Sequence, residues 1–279
     1  MNRQFQFFPA PAKLNLMLHI IGRRDDGYHL LQTVFQFLDY ADELGFSLRD
    51  DGLIRRISES GQIPEQDDLV VRAARLLSGQ VSGVPGVDIE IRKNIPMGAG
   101  LGGGSSDAAT TLLALNKLWE TGLSVGQLAE LGLQLGADVP VFVKGMASWA
   151  EGVGEYLEPI ELEEPWYLVV NPGCHVSTAE IFSDSDLTRS SPLTTIADFL
   201  AAGGRNDCEP VVVKRYPEIA DAMQWLDQYA TAKLTGTGAC IYASFQTEDQ
   251  AQAVYDRLPA EFTGFVAKGL NKSPVLRFI

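Results

Sequence analysis

Ile95-Pro96-Met97-Gly98-Ala99-Gly100-Leu101-Gly102-Gly103-Gly104-Ser105-Ser106 is the stretch around which the rest of the chain is read. Five of the seven residues from Gly98 to Gly104 are glycine, which removes the Cβ atoms that would hold a ligand off the backbone. The run feeds an amphipathic pattern from Ser106 to about Trp119, with Ala108, Ala109, Leu112, Leu113, Leu115 and Leu118 on one face. Free N–H groups and the positive end of the helix dipole at such a start favour an anion. Ser105 and Ser106 can cap the helix or donate to phosphate oxygens. The stretch therefore reads as a phosphate cradle, with a plain flexible loop as the bland alternative.

Gly98-x-Gly100-x-x-Gly103 matches the dinucleotide fingerprint, but that motif alone is weak. It wants its glycines directly after a strand, and Asn94-Ile95-Pro96 intervenes. It also wants an acidic strand end about twenty residues on, a distance that here falls at the end of the helix, near Glu120. No glycine loop ends in Gly-Lys-Ser/Thr, so the P-loop is excluded. A third kind of phosphate loop is required.

Upstream of the loop, Lys13–Ile21, Gln32–Asp39, Glu43–Arg49 and Val87–Arg92 read as strands, and Asp67/Asp68 open a helix that stops at Gly79. Downstream, Ser124 and Gln127 form a capping box for a helix that stops at Gly136. Tyr167–Asn171 reads as a buried strand, Pro217 as a first-turn proline, and Thr247 with Gln250 as a final capping box. The acidic segment Glu158–Pro165 suggests a boundary, giving units 1–160 and 161–279. Interspersed strands and helices make the class α/β or α+β.

The 279 residues hold 46% apolar and 21% charged side chains, ordinary for a globular enzyme. A net charge of −14 disfavours nucleic-acid binding but leaves room for a small anion held by backbone N–H groups. Three cysteines more than thirty residues apart and three histidines give neither a disulfide framework nor a zinc site, so no metal ligands are assigned. No apolar run approaches a membrane span, and the first residues do not look like a signal peptide. The expectation is a soluble, cytoplasmic protein.

Two further motifs accompany the loop: Pro11-Ala12-Lys13-Leu14-Asn15-Leu16 and Leu234-Thr235-Gly236-Thr237-Gly238-Ala239-Cys240. Together, in order and spacing, the three resemble the motifs of the GHMP kinases. Asp26-Gly27-Tyr28-His29, Gly136-Ala137-Asp138-Val139-Pro140-Val141-Phe142 and Gly264-Phe265-Val266-Ala267-Lys268-Gly269 narrow the resemblance to the branch acting on a diphosphocytidyl sugar alcohol. It covers nearly the whole chain. It implies a two-domain α+β fold, with an N-terminal domain like ribosomal S5 domain 2 and a ferredoxin-like C-terminal domain. It also implies ATP with Mg2+, protein ligands of the ion unassigned, and phosphorylation of the substrate's 2-hydroxyl on the non-mevalonate route to isoprenoid precursors. The protein is expected to be a monomer or weak homodimer, with no nucleic-acid or membrane partner.

By itself Asp138, between Gly136 and Pro140, suits a turn carboxylate bonding nearby N–H groups, and Lys13 suits a snorkelling surface lysine. The resemblance makes Asp138 the catalytic base and Lys13 its partner, able to stabilise charge on the transferring phosphoryl group. It assigns Pro96 through Ser106 to the nucleotide, Asn15, Tyr28, His29 and Phe182 to the other substrate, with Phe182 opposing Tyr28, and a supporting role to Thr235–Gly238. Asp107 is read as a helix-end residue. The competing readings are a mevalonate- or homoserine-type kinase, a nicotinamide-dependent oxidoreductase and a non-catalytic nucleotide-binding protein.

Overall fold

The computed structural model describes residues 4–25, 27–58 and 64–279. Asp26, part of the Asp26–His29 motif, lies outside the described residues. In chain order the strands are β1 (Gln6–Arg23), β2 (His29–Arg49), β3 (Ile54–Arg56), β4 (Gly86–Arg92), β5 (Ser148–Gly152), β6 (Tyr156–Pro159), β7 (Trp166–Asn171), β8 (Lys233–Leu234), β9 (Ile241–Phe245) and β10 (Thr263–Leu270). The helices are α1 (Leu69–Ser78), α2 (Gly103–Leu118), α3 (Val125–Leu133), α4 (Val139–Lys144), α5 (Thr178–Ser183), α6 (Ile196–Ala202), α7 (Glu209–Arg215), α8 (Pro217–Leu226) and α9 (Glu248–Tyr255). None is long and apolar enough to cross a membrane.

The main path of the sheet runs β3-β4-β2-β10-β7-β9-β8, with β1 and β5 pairing on β2, and β6 on β5. The β10–β2 pairing, Gly269 opposite Leu38 and Leu270 opposite Phe37, stitches the two halves into one sheet. Sequence reading split β2 at Tyr40–Asp42. In the structure it is continuous, because its partners β1, β4, β5 and β10 satisfy its backbone along its length. The polar interruption, Asp42, is fully buried and paired by residues distant in sequence.

Local chemistry sets the helix ends. Asp68 caps α1, capping boxes open α3 and α9, and Pro217 sits in the first turn of α8. One apolar core packs α1, α2, α3 and α4 on β1, β2 and β4. A second packs α7, α8 and α9 on β7 and β9, and also takes Leu18 and Ile20 from β1. A smaller one, with Ala12, Leu14, Leu38, Ala99, Leu101, Tyr167, Val169, Cys240 and Tyr242, joins the halves. That third core matters most for function, since it fixes all three glycine and lysine motifs against one another.

Candidate active site

The glycine loop is held by close approach. Gly98, Gly100 and Gly102 have φ of 66°, 77° and 73°, a region side-chain-bearing residues rarely adopt. A Cβ on Gly100 would lie against the Thr235 carbonyl oxygen well inside contact distance and 3.0 Å from that of Gly238. One on Gly102 would sit 2.8 Å from the Phe142 ring and 3.0 Å from Lys13 Cε. Between them, Ala99 and Leu101 are buried, and their carbonyls accept the N–H groups of Cys240 and Lys13 at 3.1 and 3.0 Å. Pro96 is half-buried and Met97 exposed on the loop's outer side.

Helix α2 starts at Gly103, three residues before the expected Ser106, so Gly103, Gly104 and Ser105 form its first turn. Its N-cap is Gly102, without a side-chain bond, in place of the expected serine. The earlier start rotates Ser106 into the core, where its hydroxyl is buried without a partner among the described residues. Half-buried Ser105 stays beside the loop at Gly136.

Beneath the loop lies Lys13, only 3% exposed, in the stretch of β1 between register shifts at Pro11/Lys13 and Asn15/Met17. It is no surface lysine. Its ammonium donates to Asn15 Oδ1 and, at 3.0 Å, to the Gly100 carbonyl, and stands 3.4 Å from Asp138 Oδ2. Asp138 is the N-cap of α4 by backbone but makes no capping bond with its side chain. The carboxylate faces the lysine instead of closing its own turn. Asn15 is held on both sides: its Nδ2 donates to Thr33 Oγ1 at 2.9 Å and its backbone N–H to Thr235 Oγ1 at 3.0 Å. Thr237 Oγ1 in turn lies 2.8 Å from Thr178 Oγ1, tying the third motif to α5.

A cleft of about 690 Å³ runs from these residues to the β1–β2 hairpin tip, lined by Lys13, Asn15, Gly100, Gly102 and Asp138 at one end. Tyr28, His29 and Phe182 line its other end. Sequence reading opposed Phe182 to Tyr28. In the structure it is His29 that stacks on Phe182, ring centroids 4.9 Å apart and planes 27° off parallel, while Tyr28 is exposed at the rim. Sequence reasoning missed Arg189, whose Nε donates to His29 Nε2 at 3.2 Å. No local pattern marks Leu187-Thr188-Arg189 as functional. Burial first, then the charges of Arg189 and Arg23, hold the His29 pKa below its ordinary value.

Asp107 falls in the second turn of α2 and reaches Lys93 Nζ at 2.7 Å; that ammonium also pairs with Asp42. Asp42 accepts the N–H groups of Asn94 and Ile95 at 2.6 and 2.8 Å, so the cluster anchors the entrance to the glycine loop. Burial raises the Asp107 carboxyl to about 7 even though Lys93 opposes the shift. A folded state that keeps a proton which the unfolded chain releases near pH 4 loses stability as pH rises from there to 7. Asp107→Asn removes this loss. Urea unfolding at pH 5 and pH 8 should show a smaller decline in the variant; equal declines would mean Asp107 is ionised throughout.

Family models for the GHMP kinase N-terminal and C-terminal domains match residues 68–146 and 186–264. A 4-diphosphocytidyl-2-C-methyl-D-erythritol kinase of Nitrosococcus oceani is 58% identical over 269 residues, covering 96% of each chain. The chain belongs to the GHMP kinases. As in that family, the reaction is ATP-dependent phosphoryl transfer, and the fold is α+β. The relative of the same name from Thiobacillus denitrificans is 56% identical, over 98% of this chain and 99% of its own. A crystal structure of 4-(cytidine 5'-diphospho)-2C-methyl-D-erythritol kinase superposes with a TM-score of 0.83 at 31% identity, covering 95% of this chain and 99% of that one. Homoserine kinase from Cytophaga hutchinsonii, a GHMP-type fold at 17% identity, superposes with a TM-score of 0.72. The oxidoreductase reading of the glycine loop is thereby overturned, because the chain belongs to a kinase family.

Proposed function

We propose that this GHMP kinase phosphorylates the 2-hydroxyl of 4-diphosphocytidyl-2-C-methyl-D-erythritol from ATP, on the non-mevalonate route to isoprenoid precursors. The observation that carries the reading is a single cleft lined by the Lys13–Asp138 pair and, at its far end, by Tyr28, His29 and Phe182. The names of the relatives support the same substrate.

In this reading the loop from Pro96 to Ser105 holds the ATP phosphates on backbone N–H groups at the start of α2. Ser106 supports it from within the core. The substrate hydroxyl attacks the γ-phosphorus, its proton passes to the Asp138 carboxylate, and ADP departs. Lys13 faces the same carboxylate and offsets charge growing on the transferring group. Asn15 fixes the lysine and borders the sugar alcohol. Among the described residues no group of three or more His, Cys, Asp or Glu side chains gathers into a metal site, and Asp138 is the one carboxylate among those lining the cleft. With Asp138 alone there, a magnesium ion would be carried mainly by the nucleotide's own phosphates, where it would supply positive charge. The units 1–160 and 161–279 would then share the site, the first contributing the loop, Lys13, Asp138, Tyr28 and His29 and the second Phe182 and the Thr235–Gly238 turn, with the protein acting on dissolved metabolites in the cytoplasm as a monomer or weak homodimer.

Steady-state assays of ADP formation with the diphosphocytidyl alcohol, mevalonate and homoserine test the substrate. Turnover should be confined to the first; equal rates with the others would return the assignment to a generic GHMP kinase. Phe182→Ala removes one face of the base clamp, and a stacked base is worth about 1–3 kcal/mol. It should raise KM for the diphosphocytidyl substrate by roughly tenfold or more and leave KM for ATP unchanged. Equal increases in both would remove Phe182 from the pocket.

A further inference from the structure

The third motif turns back on itself so that the carbonyls of Leu234 and Gly236 meet at one buried side-chain amide. Asn206 Nδ2 donates to both, at 3.0 and 2.7 Å, and its Oδ1 accepts the N–H of Cys208 at 2.9 Å. An amide nitrogen carries two donors, so one asparagine serves two buried oxygens that would otherwise be left unpaired. The side chains next along the chain accept where N–H groups face them. Asp207 Oδ2 takes the Ile20 N–H at 2.8 Å, and Glu209 Oε2 takes the Leu234 N–H at 2.9 Å. The backbone around Asn206 lies along β1: the Leu18 N–H donates to the Arg205 carbonyl at 3.0 Å, and the Leu18 carbonyl accepts from Asp207 at 2.8 Å. Residues 205–209 therefore form a clip, holding β1 on one side and the third motif on the other.

We infer that Asn206 is a positioning residue, which sets the third motif against Lys13 and Asn15 and thereby governs the rate of phosphoryl transfer. The role rests on the mechanism proposed above. Gly236, at φ 58°, packs on the glycine loop and on Asn15 together: a Cβ there would lie 3.3 Å from the Gly100 carbonyl oxygen and 3.4 Å from Asn15 Oδ1. Those two oxygens are the acceptors of the Lys13 ammonium. One residue earlier, Thr235 Oγ1 accepts the Asn15 N–H at 3.0 Å. A shift of the turn therefore reaches the lysine through its acceptors, while every group in the centre stays chemically the same. A misplacement of about 1 Å can cost about 10²-fold in rate. Gly103 and Gly104, in the first turn of α2, neighbour Ile95 and Leu69 instead, so ATP affinity should change far less than the rate.

Asn206→Ser tests this without adding charge. A serine hydroxyl can still accept the N–H two residues on, but it is too short to reach the two carbonyls. In the full-length protein the variant should bind ATP with near wild-type affinity, while single-turnover phosphorylation of the diphosphocytidyl alcohol slows by at least about tenfold per ATP-binding site. Calorimetric stoichiometry counts the folded sites. A merely structural role would lower that count and leave the rate per site intact, and that result overturns the inference. Asn206→Asp keeps the acceptor for Cys208 and puts an oxygen in place of both donors; it should be slowed at least as much, and a wild-type rate per site in either variant counts against the role decisively. Native-state amide exchange needs no substrate. It should be faster in Asn206→Ser at Thr235 and Gly238, whose N–H groups close the turn on the Cys240 and Thr235 carbonyls; unchanged exchange also overturns the inference. The two measurements separate this role from the substrate reading. If the wild type does not phosphorylate the diphosphocytidyl alcohol, the substrate reading fails and exchange still tests the clip. If the wild type is active and exchange rises, an unchanged rate per site removes the positioning role alone.

Discussion

Asp138→Asn should lower kcat by about 10²–10⁴-fold, the usual range for losing a general base, while ATP binding stays close to the wild-type value. The substitution keeps volume and shape and removes the proton acceptor. Because Asp138 makes no capping bond with its side chain, α4 loses no backbone partner. The Lys13 ammonium, 3.4 Å from this one-third-exposed carboxylate, keeps its hydrogen bonds to Asn15 and the Gly100 carbonyl in the variant, so the cost to folding is small beside the loss of rate. Activity and stability should therefore separate: a large drop in single-turnover rate with a nearly unchanged melting temperature. A variant retaining more than about a tenth of the wild-type rate, with chemistry limiting, would show that Asp138 is not the base.

The Lys13–Asp138 contact joins residues that no local pattern relates. Lys13 is buried because Ala10–Asn15 is a buried stretch of β1 whose backbone is met by the glycine loop at Leu101, and its ammonium is hydrogen-bonded there by Asn15 and the Gly100 carbonyl, with Asp138 facing it. From sequence, that burial was visible solely through the family motifs. Caps behaved differently. Asp68, Ser124 with Gln127, Thr247 with Gln250, and Pro217 act within a few residues of themselves, so the helix starts they mark were readable. The start of α2 was not, since three glycines are poor helix formers; tertiary packing of the loop on Thr235 and Phe142 overrides their propensity. Likewise, Arg189 finds His29 only after α5 and the hairpin tip have been brought together.

Gly100→Val should do the most damage of any change in the glycine loop, weakening ATP binding by more than tenfold and lowering the melting temperature. Gly103, the last glycine of the Gly98-x-Gly100-x-x-Gly103 pattern, is the first residue of α2 and does not use the left-handed region. Gly100 does, at φ 77°, where a β-branched side chain adds strain on the order of 1–3 kcal/mol. The larger effect is geometric. A Cβ there meets the backbone carbonyls of Thr235 and Gly238, which cannot rotate aside as a side chain would. Loop and third motif must separate, and the Gly100 carbonyl moves with them, taking away a partner of the Lys13 ammonium. On the proposed mechanism, both the phosphate cradle and Lys13 are then disturbed by one substitution. Gly104→Ala is the matching control: it lies in the helix's first turn, with ordinary φ and only Leu69 Cδ1 at 3.5 Å to meet. Calorimetric titration with ATP, alongside thermal unfolding, should find the alanine variant near wild type. Comparable losses in the two proteins would mean that the loop needs glycine for flexibility, and that its contact with Thr235 and Gly238 is incidental.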